Sequence, residues 1–207
     1  MKYLGVILDQ HLNFKEHFNS LSGKLSKANG IIVKLRHYLP RETLLSVYHS
    51  LFQSHLVYGL QTWFSDTSHI SRIVSLQKQS VRLLTFSDYR SHSKPLFRML
   101  GILRLPDLAF YLNILLVHKS LSKSSPQAIQ NTLSLHYPAH SYPTRTSISN
   151  SLSRPPVKTL NYGLNSIRYQ SILNWNTLIS EYPAIDLANI STFKLKSFLL
   201  NYLLARH

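Results

Sequence analysis

The sequence contains no cysteine among its 207 residues. Disulfide bonds and zinc sites with thiolate ligands are therefore excluded, and a reducing, intracellular compartment is favoured. No apolar run approaches the roughly 18 residues of a membrane span. The apolar stretch at residues 3–8 is short and is followed by Asp9, His11 and Lys15, a pattern that does not fit a signal peptide. We interpret it as a strand that begins inside a larger fold.

Acidic residues are also scarce. The chain has 8 Asp and Glu against 23 Lys and Arg, which gives a formal net charge of +15. Such an excess favours polyanionic partners, with nucleic acid first and an anionic membrane surface second. A basic surface kept only for solubility is the alternative. It is disfavoured because charge of one sign repels itself unless something offsets it.

Carboxylates are too few to suggest catalysis. Phosphoryl transfer by two metal ions needs several carboxylates around ions about 3.5–4 Å apart. We interpret Asp66, Asp88 and Asp107 as caps or turn residues, because each lies at a predicted loop or helix start. No catalytic residue, cofactor or metal ligand is predicted in this chain. Its acidic residues are Asp9, Glu16, Glu42, Asp66, Asp88, Asp107, Glu181 and Asp186.

Histidine patterns do not change this conclusion. His136 and His140 have the spacing of a zinc pair on a helix, but Pro138 between them argues against a regular helix. No third ligand suggests itself. His55 falls on an apolar stripe and is predicted to be a core histidine. Neither a glycine-rich phosphate loop nor a serine nucleophile elbow occurs.

Apolar residues, in contrast, are abundant and regularly spaced, and hydrophobic residues make up 44% of the chain. Residues 2–8 indicate a buried strand, in which Gly5 marks a bulge or a close backbone approach. The spacing of three and four over residues 14–39 predicts a helix. Gly23 and Gly30 weaken that helix and allow a break.

Pro40 ends the first helix and opens the next. Its predicted stripe is Leu44, Tyr48, Leu51, His55 and Tyr58, widened by Leu45, Phe52 and Leu56. Gly59 is expected to let another helix approach closely. A turn at residues 65–68 and a basic loop at 88–95 separate the helices that follow. Those helices are predicted at residues 70–86, 96–103, 106–121, 166–179 and 192–204.

The order of short motifs resembles one protein family. KYLGVILD at residues 2–9, followed by Leu12, Phe14 and His17, resembles the strand that closes the palm of jockey-type non-LTR retrotransposon reverse transcriptases. Nearly the whole chain resembles this family in the same order. The further segments are LRHYLP, LLSVYHSLFQSHLVYGLQTWF, LQKQSVRLLT, KPLFRMLGILRLPDLAFY, YPTRTS, SIRYQSILNWNTL and FKLKSFLLNYLL.

The resemblance implies a mainly α fold. We expect a palm-edge strand at residues 1–10, a helical thumb-like domain at 11–121, an irregular connector at 122–158 and a C-terminal helical segment at 159–207. The connector is rich in proline, serine and threonine and has little periodicity.

The resemblance also implies roles for particular residues. In the family, the first strand lies at the primer grip and the basic thumb helix faces the nucleic-acid backbone. These roles are carried to Lys2, Tyr3, Gly5, Lys24, Lys27 and Lys34. The paired palm aspartates lie upstream of KYLGV in the family and are absent here. The chain is therefore expected to be inactive alone, whereas the full polymerase would need Mg²⁺.

Basic side chains form the strongest constellation in the residues themselves. Lys and Arg neutralise phosphates without sequence preference, as a sliding polymerase thumb requires. The alternative is that they are ordinary solvated helix faces. The constellation consists of Lys24, Lys27, Lys34, Lys78, Arg82 and Arg90. Tyr38 and Tyr89 are candidates for stacking on bases, whereas Trp63 and Trp175 are predicted core anchors.

The expected partners are an RNA template and an RNA–DNA duplex, contacted through the backbone, together with the missing palm domain of the parent protein. The expected location is intracellular, and nuclear if the resemblance holds. Two other functions stay open at this point. One is a free-standing basic helical module that binds RNA or DNA, and the other is a peripheral membrane binder with basic amphipathic helices.

Overall fold

The fold of the described residues is mainly α-helical, as predicted. The computed structural model describes residues 1–64, 69–133, 135, 151–183 and 186–206. Within these ranges it has ten α-helices, and its β-structure is one two-stranded antiparallel hairpin at the N-terminus. The predictions for Asp66, His136, His140 and the turn at 65–68 lie outside the described residues.

The hairpin pairs β1 (Lys2–Tyr3) with β2 (Val6–Ile7). A continuous helical stretch joins α2 and α3 through a π-helical segment, Tyr48–Gln53, and a second π-helical segment spans Leu160–Leu164. The α-helices are α1 (Lys15–Leu35), α2 (Arg41–Val47), α3 (Ser54–Val57), α4 (Leu60–Trp63), α5 (Ile70–Leu84), α6 (Ser93–Leu100), α7 (Leu105–Leu121), α8 (Gln127–Leu133), α9 (Ile167–Glu181) and α10 (Thr192–Ala205).

The chain divides into two compact units. Unit 1 comprises Met1–Leu108 with Leu203–His207, and unit 2 comprises Ala109–Tyr202. Helices α7 and α10 therefore each contribute residues to both units. The functional domains expected from the sequence, with bounds at residues 10, 121 and 158, stay a prediction.

Helix α1 forms one wall of the core of unit 1. Its buried stripe includes Phe18, Leu25 and Ile32, which are at most 3% exposed. It packs against α5, where the Ser80 hydroxyl donates to the side-chain Oδ1 atom of Asn29 at 2.6 Å. The helix runs unbroken past both of its glycines, so the break that they would allow does not occur. Burial of the apolar stripe outweighs a propensity cost of about 1 kcal/mol for each glycine.

The core stripe of the second helical stretch differs from the predicted one. Leu51, His55 and Tyr58 are exposed, so the prediction of His55 as a core histidine is wrong. The buried residues recur every four positions instead, at Leu44, Tyr48, Phe52, Leu56 and Leu60. An α-helix turns every 3.6 residues, so a spacing of four drifts around it. The wider π turns at Tyr48–Gln53 reduce that drift.

Gln77 ties α5 to the loop between α6 and α7. Its side-chain nitrogen donates to the Leu103 carbonyl at 3.0 Å, and its oxygen accepts from the Leu105 amide at 2.9 Å. Helix α6 begins at Ser93, within the predicted loop 88–95, and ends at Gly101 in a left-handed conformation. That part of the loop prediction is wrong, because Pro95 lies within the first turn, which tolerates proline.

Unit 2 has its own apolar core, built around Trp175, Leu178, Leu195 and Leu199. The predicted burial of Trp175 is confirmed. Two hydrogen bonds of 2.8 Å between the Asn176 side chain and the Leu152 backbone hold the segment before α9 against that core. The predicted irregular connector contains helix α8, so this part of the prediction is wrong; residues 134 and 136–150 lie outside the described chain.

Among the described residues, no single helix is both long and apolar enough to cross a membrane. The consecutive helices α6 and α7 together meet the length and composition of a broken span.

Candidate nucleic-acid interface

The N-terminal hairpin presents an exposed tip. Its turn consists of Leu4 at φ 43° and Gly5 at φ 85°, and two successive residues with positive φ are typical of a tight hairpin turn. Tyr3 and Leu4 are 60% and 73% exposed, so the predicted buried strand is wrong. Leucine rarely adopts a left-handed backbone. This turn therefore holds strain at the tip, next to Lys2 and Tyr3.

Two glycines fit the hairpin to the helical bundle. A Cβ atom at Gly5 would lie 3.2 Å from the Tyr58 ring, and one at Gly59 would lie 3.1 Å from a methyl group of Val6. The Tyr58 hydroxyl donates to the Leu4 carbonyl. The predicted close approach at Gly59 exists, but the neighbour is strand β2 and not a helix.

His17 fastens the other side of the hairpin. The Ile7 amide donates to its Nδ1 atom at 3.4 Å, and its ring lies 5.8 Å from the Trp63 ring. Burial lowers the pKa of His17, and the positive charge of Lys24 lowers this pKa further. The ring is thereby kept neutral and able to accept. No sequence pattern indicates this role beyond the position of His17 in the first motif.

Three of the predicted binding lysines share the exposed face of α1. Lys24, Lys27 and Lys34 are all exposed, and spacings of three and seven place them along one side of a helix. Gly23 and Gly30 are exposed on the same side, and a Cβ at either would meet nothing within 4 Å. The result is a positively charged face that has two glycines along one edge and also carries the exposed side chain of Ile31, between Lys27 and Lys34.

The remaining predicted cations lie on and after α5. Lys78 and Arg82 are half-buried, whereas Arg90 is exposed. Arg82 donates from Nε to the Ser91 carbonyl at 2.9 Å, which brings it to the loop that carries Arg90. The structure thus brings the predicted residues into separate groups: the hairpin tip, the face of α1, and the end of α5 with its loop. Lys78 lies one turn before Arg82.

Several of the described carboxylates serve local roles. Asp9 accepts from the backbone amides of His11 and Asn13, and Asp88 accepts from the amide of Tyr89. Burial raises the pKa of Asp9, but these hydrogen bonds outweigh it and leave this pKa lowered. Asp107 pairs with Arg104 at 3.0 Å in the first turn of α7. In the described ranges, no three His, Asp or Glu side chains are grouped so that they could hold a metal ion.

About half of the chain is similar to two curated Drosophila melanogaster proteins. Over 106 residues it is 31% identical to the probable RNA-directed DNA polymerase from transposon X-element. Over 111 residues it is 27% identical to the RNA-directed DNA polymerase from mobile element jockey. The resemblance to non-LTR retrotransposon polymerases is confirmed.

The similarity to these retrotransposon polymerases is partial. The matched regions cover 49% and 51% of this chain but 12% of each relative. No family model matches the chain, and no solved structure matches it.

Proposed function

We propose that this chain is the part of a retrotransposon RNA-directed DNA polymerase that holds the template–product duplex. In this proposal the helices of unit 1 act as the thumb, and contacts to phosphates supply affinity without sequence preference. The similarity to two retrotransposon polymerases supports the class of protein. The net charge of +15 supports a polyanionic partner.

The exposed lysine face of α1 carries the proposal. Lys24 and Lys34 are ten residues apart, which corresponds to about 15 Å along a helix. Phosphates of one strand follow each other every 3.4 Å or so along a duplex axis, so this face spans about four of them. Gly23 and Gly30 lower the helix surface along one edge of this face, so a sugar–phosphate strand can approach the helix closely on that side of the lysines.

We assign the primer end of the duplex to the hairpin tip. Lys2 and Tyr3 are exposed there, and Gly5 keeps the backbone open at the turn. A strained residue such as Leu4 is typical of sites where position matters more than stability. Tyr58 and His17 contact the hairpin from two sides, so the helices of unit 1 determine the position of the tip.

Nucleotidyl transfer is assigned to another segment of the full polymerase. In this proposal the catalytic aspartates and the Mg²⁺ ions belong to a palm domain, and the present chain alone extends no primer. In this proposal the protein acts in the nucleus.

The decisive experiment measures binding of the full chain to a blunt RNA–DNA hybrid across a range of salt concentrations. Each phosphate contact should contribute about 0.9 to the slope of log affinity against log salt. Combining Lys24→Gln, Lys27→Gln and Lys34→Gln should weaken binding and lower the slope by about 0.9 per lysine. Affinity that does not change with salt would refute the proposal.

A matched variant separates this face from general charge. Lys119, Lys194 and Lys196 are exposed on helices α7 and α10. Changing these three to Gln removes the same charge and should alter affinity and slope much less than the α1 variant. Equal losses in the two triple variants would mean that the chain attracts nucleic acid by net charge alone.

A further inference from the structure

The end of α5 carries an aromatic residue in an unfavourable position. Helix α5 closes with amide-to-carbonyl bonds from Ser87 to Arg82 and from Phe86 to Leu83, the pattern of a helix end that needs one left-handed residue. That residue is Phe86, at φ 55°. Glycine or asparagine usually takes this place, because a bulky side chain is strained there. Phe86 is nevertheless 51% exposed, so burial does not account for its presence.

Two arginines lie against the exposed aromatic rings at this end. The Arg36 guanidinium lies 4.5 Å from the centre of the Phe86 ring, and the Arg82 guanidinium lies 6.0 Å from that of Tyr89. Tyr89 is 78% exposed. Because Phe86 and Tyr89 are three residues apart, their Cα atoms are separated by at most about 11 Å. Both rings therefore belong to one surface, which we call the aromatic–arginine patch.

The arginines of the patch are available to pair with anions. In the part of the chain that the structure describes, neither Arg36 nor Arg82 forms an ion pair with a carboxylate. The Nε atom of Arg36 is buried without a hydrogen-bond partner among the described residues. Arg90 adds a further exposed cation. Asp88 is the acidic residue of this loop, and its carboxylate accepts from the Tyr89 amide at 2.6 Å.

We infer that the aromatic–arginine patch binds single-stranded nucleic acid, with unpaired bases stacked on Phe86 and Tyr89 and phosphates paired with the neighbouring guanidinium groups. Exposed rings beside cations are the features by which proteins bind single strands without sequence preference. Duplex bases are already stacked on each other, so the patch selects the unpaired strand. The inference rests on the proposed function, in which the same chain holds the adjoining duplex.

The aromatic–arginine patch is distinct from the exposed lysine face of α1, to which the duplex is assigned. Arg36 follows the last residue of α1, whereas Lys24, Lys27 and Lys34 lie along the exposed side of that helix. Two residues correspond to about 200° around a helix, so Arg36 lies on the other side of α1 from Lys34, and a single strand that leaves the duplex at Lys34 reaches Arg36 by passing over the end of the helix. We therefore expect the unpaired strand to continue from the end of the duplex onto the patch.

The test compares two probes on the full chain: a blunt RNA–DNA hybrid, and the same hybrid with a single-stranded RNA tail of a few nucleotides. The tail should raise affinity about tenfold, which corresponds to about 1.4 kcal/mol. Tyr89→Leu and Phe86→Gly should each remove most of this gain and leave affinity for the blunt hybrid within about twofold. Glycine suits the left-handed position, so Phe86→Gly retains the fold while it removes the ring.

Two controls make the outcome specific. Phe193 is 81% exposed on α10, and Phe193→Leu should leave the gain from the tail intact. An abasic tail keeps the phosphates and removes the bases, so it should lose most of the gain. An equal gain from the abasic tail, or variants that keep the full gain, would overturn the inference. Loss of salt-dependent binding to the blunt hybrid would instead refute the proposed function.

Discussion

The hydroxyl of Tyr58 donates a hydrogen bond to the carbonyl of Leu4, which lies 54 residues earlier in the chain. This contact joins the exposed hairpin tip to the extended residue that ends α3. Tyr58→Phe removes the hydrogen bond and keeps the ring beside Gly5. We expect a loss of about 1 kcal/mol or less, because the site is exposed.

Hydrogen exchange should locate the effect of Tyr58→Phe. The amide of Leu8, which donates to the Met1 carbonyl at 2.8 Å, should exchange faster, whereas amides within α5 should not change. Unchanged exchange at Leu8 would show that this contact does not restrain the hairpin.

Gly59→Ala and Gly101→Ala form a matched pair. Both glycines have positive φ, at 62° and 64°, so alanine is strained at either by about 1 kcal/mol. Only at Gly59 would the new methyl group also press on Val6, at 3.1 Å. Gly59→Ala should therefore cost about 2 kcal/mol in total. Urea denaturation checks the difference, and equal losses would mean that Val6 moves aside freely.

Because the pKa of His17 is lowered in the folded protein, we expect the free energy of unfolding to depend on pH. The folded pKa of His17 is lowered, first by burial and then by Lys24, so the unfolded chain binds a proton at higher pH than the folded chain. The free energy of unfolding should therefore fall as the pH drops below about 6.5, the ordinary pKa of histidine. It should be constant with respect to this group above that pH.

His17→Asn separates the hydrogen bond from the titration. The asparagine side-chain oxygen can accept from the Ile7 amide as Nδ1 does, but it does not take up a proton. Urea denaturation between about pH 5 and pH 8 should give a smaller pH slope for this variant than for the wild type. The same slope in both proteins would show that other groups cause the dependence.

Gln77→Leu should be among the most damaging changes in unit 1. It leaves the Leu103 carbonyl and the Leu105 amide buried without their partner, at a cost of about 2–4 kcal/mol. Gln79→Leu, on the exposed side of the same helix, serves as the control. It removes one long contact of 3.4 Å from the Asn29 side chain, which keeps its hydrogen bond to the Leu76 carbonyl, and should cost about 1 kcal/mol or less. Thermal unfolding compares the two, and similar losses would mean that water replaces the Gln77 side chain.

Local patterns predicted the long helices well. Helix α1 follows from its apolar spacing, and the exposure of Lys24, Lys27 and Lys34 follows from the same periodicity. Helix α5 begins at the predicted residue, Ile70, and ends two residues before the predicted end. Each of these helices has one buried and one exposed face, so the hydropathy of a residue indicates the face on which it lies.

Features set by contacts across the chain were not predictable in this way. The hairpin strands are only two residues long, so no alternation could distinguish them from one buried strand. The interpretation of Gly59 was right about close approach, but its neighbour Val6 is more than fifty residues away. Similarly, the placement of Arg36 on Phe86 depends on how α1 and α5 pack, which residue spacing within either helix does not reveal.

The π-helical segment Tyr48–Gln53 fixes the azimuth of the residues that follow it. Its backbone hydrogen bonds join residues five apart, so each turn contains one residue more than a turn of α-helix. If the stretch became regular α-helix, everything downstream would rotate by about 100° around the helix axis. Tyr58 and Gly59 would then face away from the hairpin. A single-residue insertion at Ser50 or Leu51, far from the tip itself, should therefore free the first eight residues, whereas a single-residue deletion there removes the extra residue of the π turn and should keep the direction of Tyr58.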